Sequence, residues 1–226
     1  MCFAFINRAM IGRFRRGIEN RLDTLAVEYL VPQCTIKEGD IVIDIGANIG
    51  EFTRYCCEHR GARVVAIEPE NACEAALRIN LKGLDAIYSN EALWCEDAEL
   101  LLYHSHASND TTLIEPVTYD FSETIRVVTL DGLMSRLDTG WEQPIDTIKL
   151  VKIEAEGAEP EIIAGGSATL ARTHYVAVDC GPERGLKQES TLLPVVNALL
   201  RLGFRFVGFR ARRMVVLMKN DALENR

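Results

Sequence analysis

Ile41-Val42-Ile43-Asp44-Ile45-Gly46-Ala47-Asn48-Ile49-Gly50, answered by Val64-Val65-Ala66-Ile67-Glu68-Pro69, is the part of this 226-residue sequence that decides the fold. An apolar run rich in β-branched residues reads as a buried parallel strand. The first run ends in a glycine turn and passes into a helical pattern. About twenty residues on, a second apolar strand ends in an acid. This is the layout of a nucleotide-type cofactor site in an α/β sheet: glycines in the turn, a carboxylate for ribose hydroxyls.

The glycine spacing separates classes of cofactor. A dinucleotide site needs Gly-x-Gly-x-x-Gly, whose second glycine lets a pyrophosphate approach the backbone. Position 48 is Asn and position 51 is Glu, so that fingerprint is absent and a nicotinamide oxidoreductase is disfavoured. Asp44-Ile-Gly-Ala-Asn-Ile-Gly50 instead resembles motif I of the class I S-adenosylmethionine-dependent methyltransferases. The resemblance implies that Asp44, Gly46, Ala47, Asn48 and Gly50 hold the methionine part of S-adenosylmethionine and that Glu68 holds its ribose. A turn into a helix N-terminus also offers free N–H groups to a carboxylate. Asn90 and Glu91, where a third strand ends, complete the candidate cofactor set.

Composition narrows the class. The length suits one α/β domain with a sizeable core. A net charge of −8 argues against non-specific DNA or RNA binding, which demands a basic surface. The seven cysteines form no Cys-x-x-Cys pair and no Cys/His zinc spacing, so a reducing, cytoplasmic setting is expected. No segment reads as a transmembrane helix. Residues 1–36 read as a helical lead, 37–220 as the main domain and 221–226 as a tail. The first part of the lead mixes Phe3, Phe5, Ile6 and Phe14 with Arg8, Arg13, Arg15 and Arg16. Such a segment suits peripheral contact with a membrane surface; the plainer expectation is packing on the domain.

Apolar spacing predicts a helix over 19–31 closed by Pro32, a strand at 41–45 and a helix from 51 to 59 ended by Gly61. It then predicts a strand at 63–67, a helix opened by Pro69, and a strand near 85–89. Consecutive βα units of this kind mean a parallel sheet with helices on both faces. The middle reads as a short strand at 100–103, a polar irregular stretch from His104 to Glu123, and a strand at 124–130. Asp131 is expected to cap a helix over 132–137. Strands follow at 147–153 and 175–179, separated by helical segments at 159–164 and 167–171. A helix over 194–202 leads to a close pair of strands at 204–209 and 214–218, which must be antiparallel. Arg210, Arg212 and Arg213 in its turn read as solvated. The expected fold is therefore a Rossmann-like, seven-stranded, mostly parallel sheet with a C-terminal antiparallel hairpin and helices on both faces.

A second dense signal is Lys149-Leu-Val-Lys152-Ile-Glu154-Ala-Glu156-Gly157-Ala158-Glu159. It resembles the Lys-Ile-Asp-x-Glu-Gly-Ala-Glu motif of the FkbM family of methyltransferases. Asp44 to Phe52, Glu68-Pro69, Asn80 and Thr129-Leu130-Asp131 match the same family in order, over about residues 37 to 180. The resemblance implies methyl transfer to oxygen, commonly on a hydroxyl of a sugar or natural product. Two departures matter. Glu154 stands where Asp is usual, and Asp179-Cys180-Gly181 replaces a Glu-x-His pattern.

An aliphatic hydroxyl attacks poorly until a base accepts its proton. In open α/β sheets ligands lie beyond the carboxyl ends of the strands, where Glu154, Glu156 and Asp179 all fall. These three are the candidate catalytic carboxylates, and His106 in the polar stretch is the candidate histidine base. Lys152 and Glu154, two apart on one strand, share a face and are expected to pair. Glu154 and Asp179 are also the residues that would hold Mg²⁺, which takes oxygen ligands. The expected partner is a small-molecule or saccharide acceptor. The rival reading is a protein that keeps the cofactor fold and binds without turnover.

Overall fold

The computed structural model describes residues 3–105, 110–138 and 145–223. Helices α1 (Arg8–Ile11), α2 (Ile18–Glu28) and α3 (Val31–Cys34) precede β1 (Ile41–Ile45), α4 (Glu51–Arg60), β2 (Arg63–Ile67), α5 (Asn71–Asn80) and β3 (Ala86–Ser89). Next come β4 (Ala92–Trp94), β5 (Ala98–Ser105), β6 (Asp110–Thr112), β7 (Phe121–Thr129) and α6 (Leu130–Asp138). The chain closes with β8 (Ile148–Ile153), α7 (Glu159–Ala164), α8 (Ser167–Ala171), β9 (Thr173–Asp179), α9 (Leu192–Arg201), β10 (Phe204–Arg210) and β11 (Val215–Asn220).

Seven strands form one sheet in the order β10-β11-β9-β8-β1-β2-β3. All neighbours are parallel except β11, which runs antiparallel to both β9 and β10. The expected sheet and terminal hairpin are thus present. Side chains alternate across a strand, so β1 splits its residues between two cores. Ile41, Ile43 and Ile45 join Val151, Val176, Val195, Leu199 and Met218 on one face. Val42 joins Leu22, Tyr29, Phe52, Leu150 and Leu217 on the other, under α2 and α4. Asp44 shares that second face with Val42 by the same alternation, and β8 places Lys152 directly beside it in register.

The middle of the chain departs from expectation. The strands expected at 100–103 and 124–130 are present but longer, and together with β4 and β6, which were not expected, they form a second sheet, β4-β7-β5-β6. Strand β5 reaches Ser105 and β7 starts at Phe121, so the two pair over seven residue positions. Most of β7 is exposed and only Val127 and Val128 are fully buried, which blurs the alternation that reveals a strand. Gly165 lets α7 approach this sheet: a Cβ there would lie 2.2 Å from the Trp94 carbonyl.

Two helix boundaries also differ. Pro32 does not close α2. That helix ends at Glu28, Leu30 turns left-handed at φ 57°, and Pro32 sits in the first turn of α3, where its missing N–H costs nothing. Asp131 does not cap its own helix. Thr129 Oγ1 accepts from Gly132 N at 3.0 Å, while the Asp131 carboxylate accepts from Ala168 N at 2.9 Å and Thr169 N at 2.7 Å. It therefore caps α8, a neighbour that spacing along the chain does not reveal.

The lead packs on the domain. Phe3, Met10 and Phe14 bury against Ile49 of the glycine turn and Ala76 of α5. Asn80 ties them down: its side chain accepts from Ala4 N at 2.7 Å and donates to the carbonyls of Ala4 and Ile49 at 3.0 and 2.8 Å. Among the described residues no helix is long and apolar enough to cross a membrane.

Candidate functional site

The carboxyl ends of β1, β2 and β8 open into a cleft of about 340 Å³. Its floor is the glycine turn. Gly46 N and Ala47 N both donate to Ile67 O, at 2.9 and 3.0 Å, which draws the turn onto β2. Gly46 has φ 74°, and a Cβ there would lie 1.9 Å from the Glu154 carbonyl. Glycine is needed here because β8 passes directly beneath, a reason that cofactor contact alone did not suggest.

Glu68 rises at the end of β2 and accepts from Asn48 N at 2.8 Å and Glu70 N at 2.9 Å. Burial pushes its carboxyl up to about 6 despite those two bonds. Asn48 has a left-handed backbone, φ 51°, and its Oδ1 is buried without a partner in the protein. Glu91 also lines the cleft, and Arg136 donates to it at 2.6 Å. The three amides of Gly46, Ala47 and Asn48 are thus all spoken for by the protein, and the turn offers a ligand less than its sequence promised.

Asp44 and Gly50 lie behind this floor. Asp44 is fully buried, accepts from Thr53 Oγ1 at 2.6 Å and pairs with Lys152 Nζ at 3.0 Å. Lys152 also donates to the carbonyls of Gly46 at 2.7 Å and Ile45 at 3.2 Å, and it pairs with Glu154 at 3.1 Å as expected. This one buried ammonium joins strand, turn and site carboxylate. Gly50 caps α4 in a left-handed conformation against Leu81. Asn90 is exposed, bonds the Asn71 side chain at 2.9 Å and does not line the cleft.

Beside this cleft lies a second, of about 410 Å³, lined by Glu159, Asp179, Glu183, Arg212 and Met214 among others. Glu154, Glu156 and Arg213 belong to both walls. Glu156 is held by its own backbone: φ is 48°, and Thr112 Oγ1 of the second sheet donates to its carbonyl at 2.8 Å. Glu159 accepts from Ala155 N and Gly157 N, both at 3.0 Å, which fixes the same loop; burial raises its pKa.

Arg213 overturns the expectation of a solvated turn. Its Nε lies 2.7 Å from Asp179 Oδ2, its Nη2 contacts Glu154 Oε1, and its Cζ lies 5.3 Å from the centroid of the Tyr29 ring. Antiparallel pairing of Val215 with Asp179 carries it there from a distant part of the sequence. Burial, then the Glu183 carboxylate, pushes Asp179 up to about 7 even beside that guanidinium. The three carboxylates at the strand ends therefore do converge. His106 lies outside the described residues. No cluster of three or more His, Cys, Asp or Glu able to hold a metal occurs among the described residues. Glu154 and Asp179 already share the Arg213 cation, so they do not fit a divalent ion in this arrangement.

Comparison with known proteins agrees with this geometry. The family model "Methyltransferase FkbM domain" matches residues 44–206. The 2-O-methyltransferase NoeI of Sinorhizobium fredii is 26% identical over 207 residues, covering 84% of this chain and 83% of that protein. The 31-O-demethyl-FK506 methyltransferase FkbM of Streptomyces tacrolimicus is 30% identical over 166 residues, covering 61% and 63%. Among solved structures, MtNAS in complex with MTA and tNA shares the fold with a TM-score of 0.50 at 12% identity, covering 95% of this chain and 66% of that one. With the glycine turn, Glu68 and the Lys152–Glu154–Glu156 segment lining one cleft beyond the parallel strands, the chain belongs to the FkbM family of methyltransferases.

Proposed function

We propose that this chain transfers a methyl group from S-adenosylmethionine to a hydroxyl of a sugar or natural product. The observation that carries the proposal is the pair of clefts sharing the wall Glu154, Glu156 and Arg213. Methyl transfer needs the acceptor oxygen in line with the methyl group, and two adjoining clefts lined by the same residues set two substrates side by side. The printed names of NoeI and FkbM both place their methyl group on oxygen.

S-adenosylmethionine fits the first cleft. Asn48 Oδ1 is an orphaned acceptor for its ammonium, and Glu68 is the carboxylate for its ribose hydroxyls. Gly46, Ala47 and Glu91 line the remainder, with Asp44 and Gly50 supporting from behind. Its sulfonium supplies an already activated methyl group. The chain then has to orient the acceptor oxygen and remove its proton.

Asp179 is the better base of the two carboxylates on Arg213. Glu154 carries both Lys152 and Arg213, and protonating it would forfeit two ion pairs. Asp179, with its pKa about 7, faces the acceptor cleft and is matched to neutral pH. Arg213 orients it, and Glu156 lines both clefts. No step runs through a metal ion.

The test is methyl transfer to a panel of hydroxylated acceptors, read by mass spectrometry, beside calorimetry with S-adenosylhomocysteine and NAD. Product that carries a new O-methyl group supports the proposal. Cofactor binding with no transfer to any acceptor would favour an inactive binding protein, and binding of NAD alone would end the methyltransferase assignment. Asp179→Asn is expected to fold, bind S-adenosylhomocysteine and lose on the order of 10²–10⁴-fold in turnover. The wild-type kcat/KM should rise with pH through about 7, as the base loses its proton, then level off. A wild-type profile flat through neutrality would remove Asp179 from this role.

A further inference from the structure

The first cleft has a wall that the motifs do not describe. Arg13, Arg21, Leu25 and Tyr29 of the lead line it, opposite the glycine turn. Four cations border the cleft. Arg21 pairs with Glu51 at 2.9 Å, Lys152 with Asp44 and Glu154, and Arg213 with Asp179, Glu154 and Glu28. Arg13 alone has no acidic partner among the described residues. Tyr29 is the second observation. Its ring is fully buried near Lys152 and Arg213, and its hydroxyl has no partner in the protein. A buried donor left unpaired costs free energy that a ligand acceptor restores.

The position of Arg13 is built rather than incidental. It sits in the 3₁₀ turn Gly12–Phe14, and the neighbouring Phe14 is buried among Phe3, Met10 and Ile49. Phe14 stacks edge-on with Phe5, 4.8 Å between centroids. The turn is therefore pinned to the same loop that floors the cleft. That loop has no amide to spare at positions 46–48, so an anion bound here must find its charge elsewhere.

Resting on the S-adenosylmethionine assignment, we infer that Arg13 and Tyr29 bind the carboxylate of the cofactor's amino-acid end. The cleft is then complementary to a zwitterion. The Arg13 guanidinium and the unpartnered Tyr29 hydroxyl on the lead serve the carboxylate, and the unpartnered Asn48 oxygen serves the ammonium. The lead becomes a working part of the cofactor site.

The experiment compares two ligands by calorimetry: S-adenosylhomocysteine, and 5′-methylthioadenosine, which lacks the amino-acid carboxylate. Wild type, Arg13→Gln and Arg13→Lys are titrated with each, at low and high salt. Arg13 is exposed, so its removal leaves the melting temperature unchanged. Arg13→Gln is expected to weaken S-adenosylhomocysteine on the order of tenfold, with methylthioadenosine changed less than twofold and Arg13→Lys largely restored. Equal loss for both ligands, or none for either, would overturn the inference. So would unchanged cofactor affinity with a raised acceptor KM, which would give Arg13 to the acceptor. Failure of the wild type to bind either ligand would instead bring down the cofactor assignment, and this inference with it.

Discussion

Gly46→Ala is expected to destroy the cofactor cleft and destabilise the domain by on the order of 3 kcal/mol or more. The new methyl group would stand 1.9 Å from the Glu154 carbonyl, which belongs to backbone leaving the central strand β8 and cannot swing aside. Relief requires β1 and β8 to separate just where Lys152 ties them together. Gly83→Ala is the control. Gly83 has φ 82°, close to the 74° of Gly46, but no atom lies within 4 Å of its Cβ position. It should lose only the backbone cost of a left-handed alanine, about 1–2 kcal/mol. Urea unfolding of the two variants separates steric conflict from backbone preference. If Gly46→Ala unfolds no earlier than Gly83→Ala, the contact with Glu154 does not fix the turn.

Lys152→Met should cost nearly as much for a different reason. The ammonium is 2% exposed and serves Asp44, Glu154 and two turn carbonyls at once. Methionine fills its volume but leaves the Asp44 carboxylate in the interior with only Thr53 for company. Removing one partner of a buried pair typically costs about 3–5 kcal/mol. The sharper expectation is for the pair. Asp44→Asn added to Lys152→Met should recover part of the loss, because the buried charge goes with it. A double-mutant cycle by denaturant unfolding measures that coupling. Strictly additive losses would mean that Asp44 and Lys152 do not depend on one another.

The parts of this molecule legible in the sequence were those governed by local rules. Strands β1 and β2 and helix α7 lie at the residues their apolar patterns indicate, and Gly61 ends α4 as a left-handed stop. The Lys152–Glu154 pair followed from strand alternation alone. What stayed hidden depended on partners far along the chain. Asp131 has the right chemistry for a cap but serves a helix 37 residues away. Arg213 looked solvated because nothing in a basic turn announces that an antiparallel return brings it to Asp179. Strands β5 and β7 showed only their 100–103 and 124–130 portions, because few of their side chains are buried and the period is weak, and the three-residue β4 and β6 are too short to show one. Phe3 and Phe14 pack on Ile49, as the plainer reading of the lead expected, but nothing in that segment marked Arg13 as lining the cleft.

The sheet order also sets a timetable for the newly made chain. Strand β1 lies between β2, which follows it after a single helix, and β8, which arrives only after the whole second sheet. The Lys152 ammonium and the Ile45 carbonyl it grips are 107 residues apart. Closing so long a loop is costly and slow compared with the neighbouring βα units. Helix content should therefore return early in refolding, while the capacity to bind S-adenosylhomocysteine lags until β8 docks. Stopped-flow circular dichroism beside ligand-binding fluorescence would show the two signals apart. Simultaneous recovery would mean that the central strand is in place from the start.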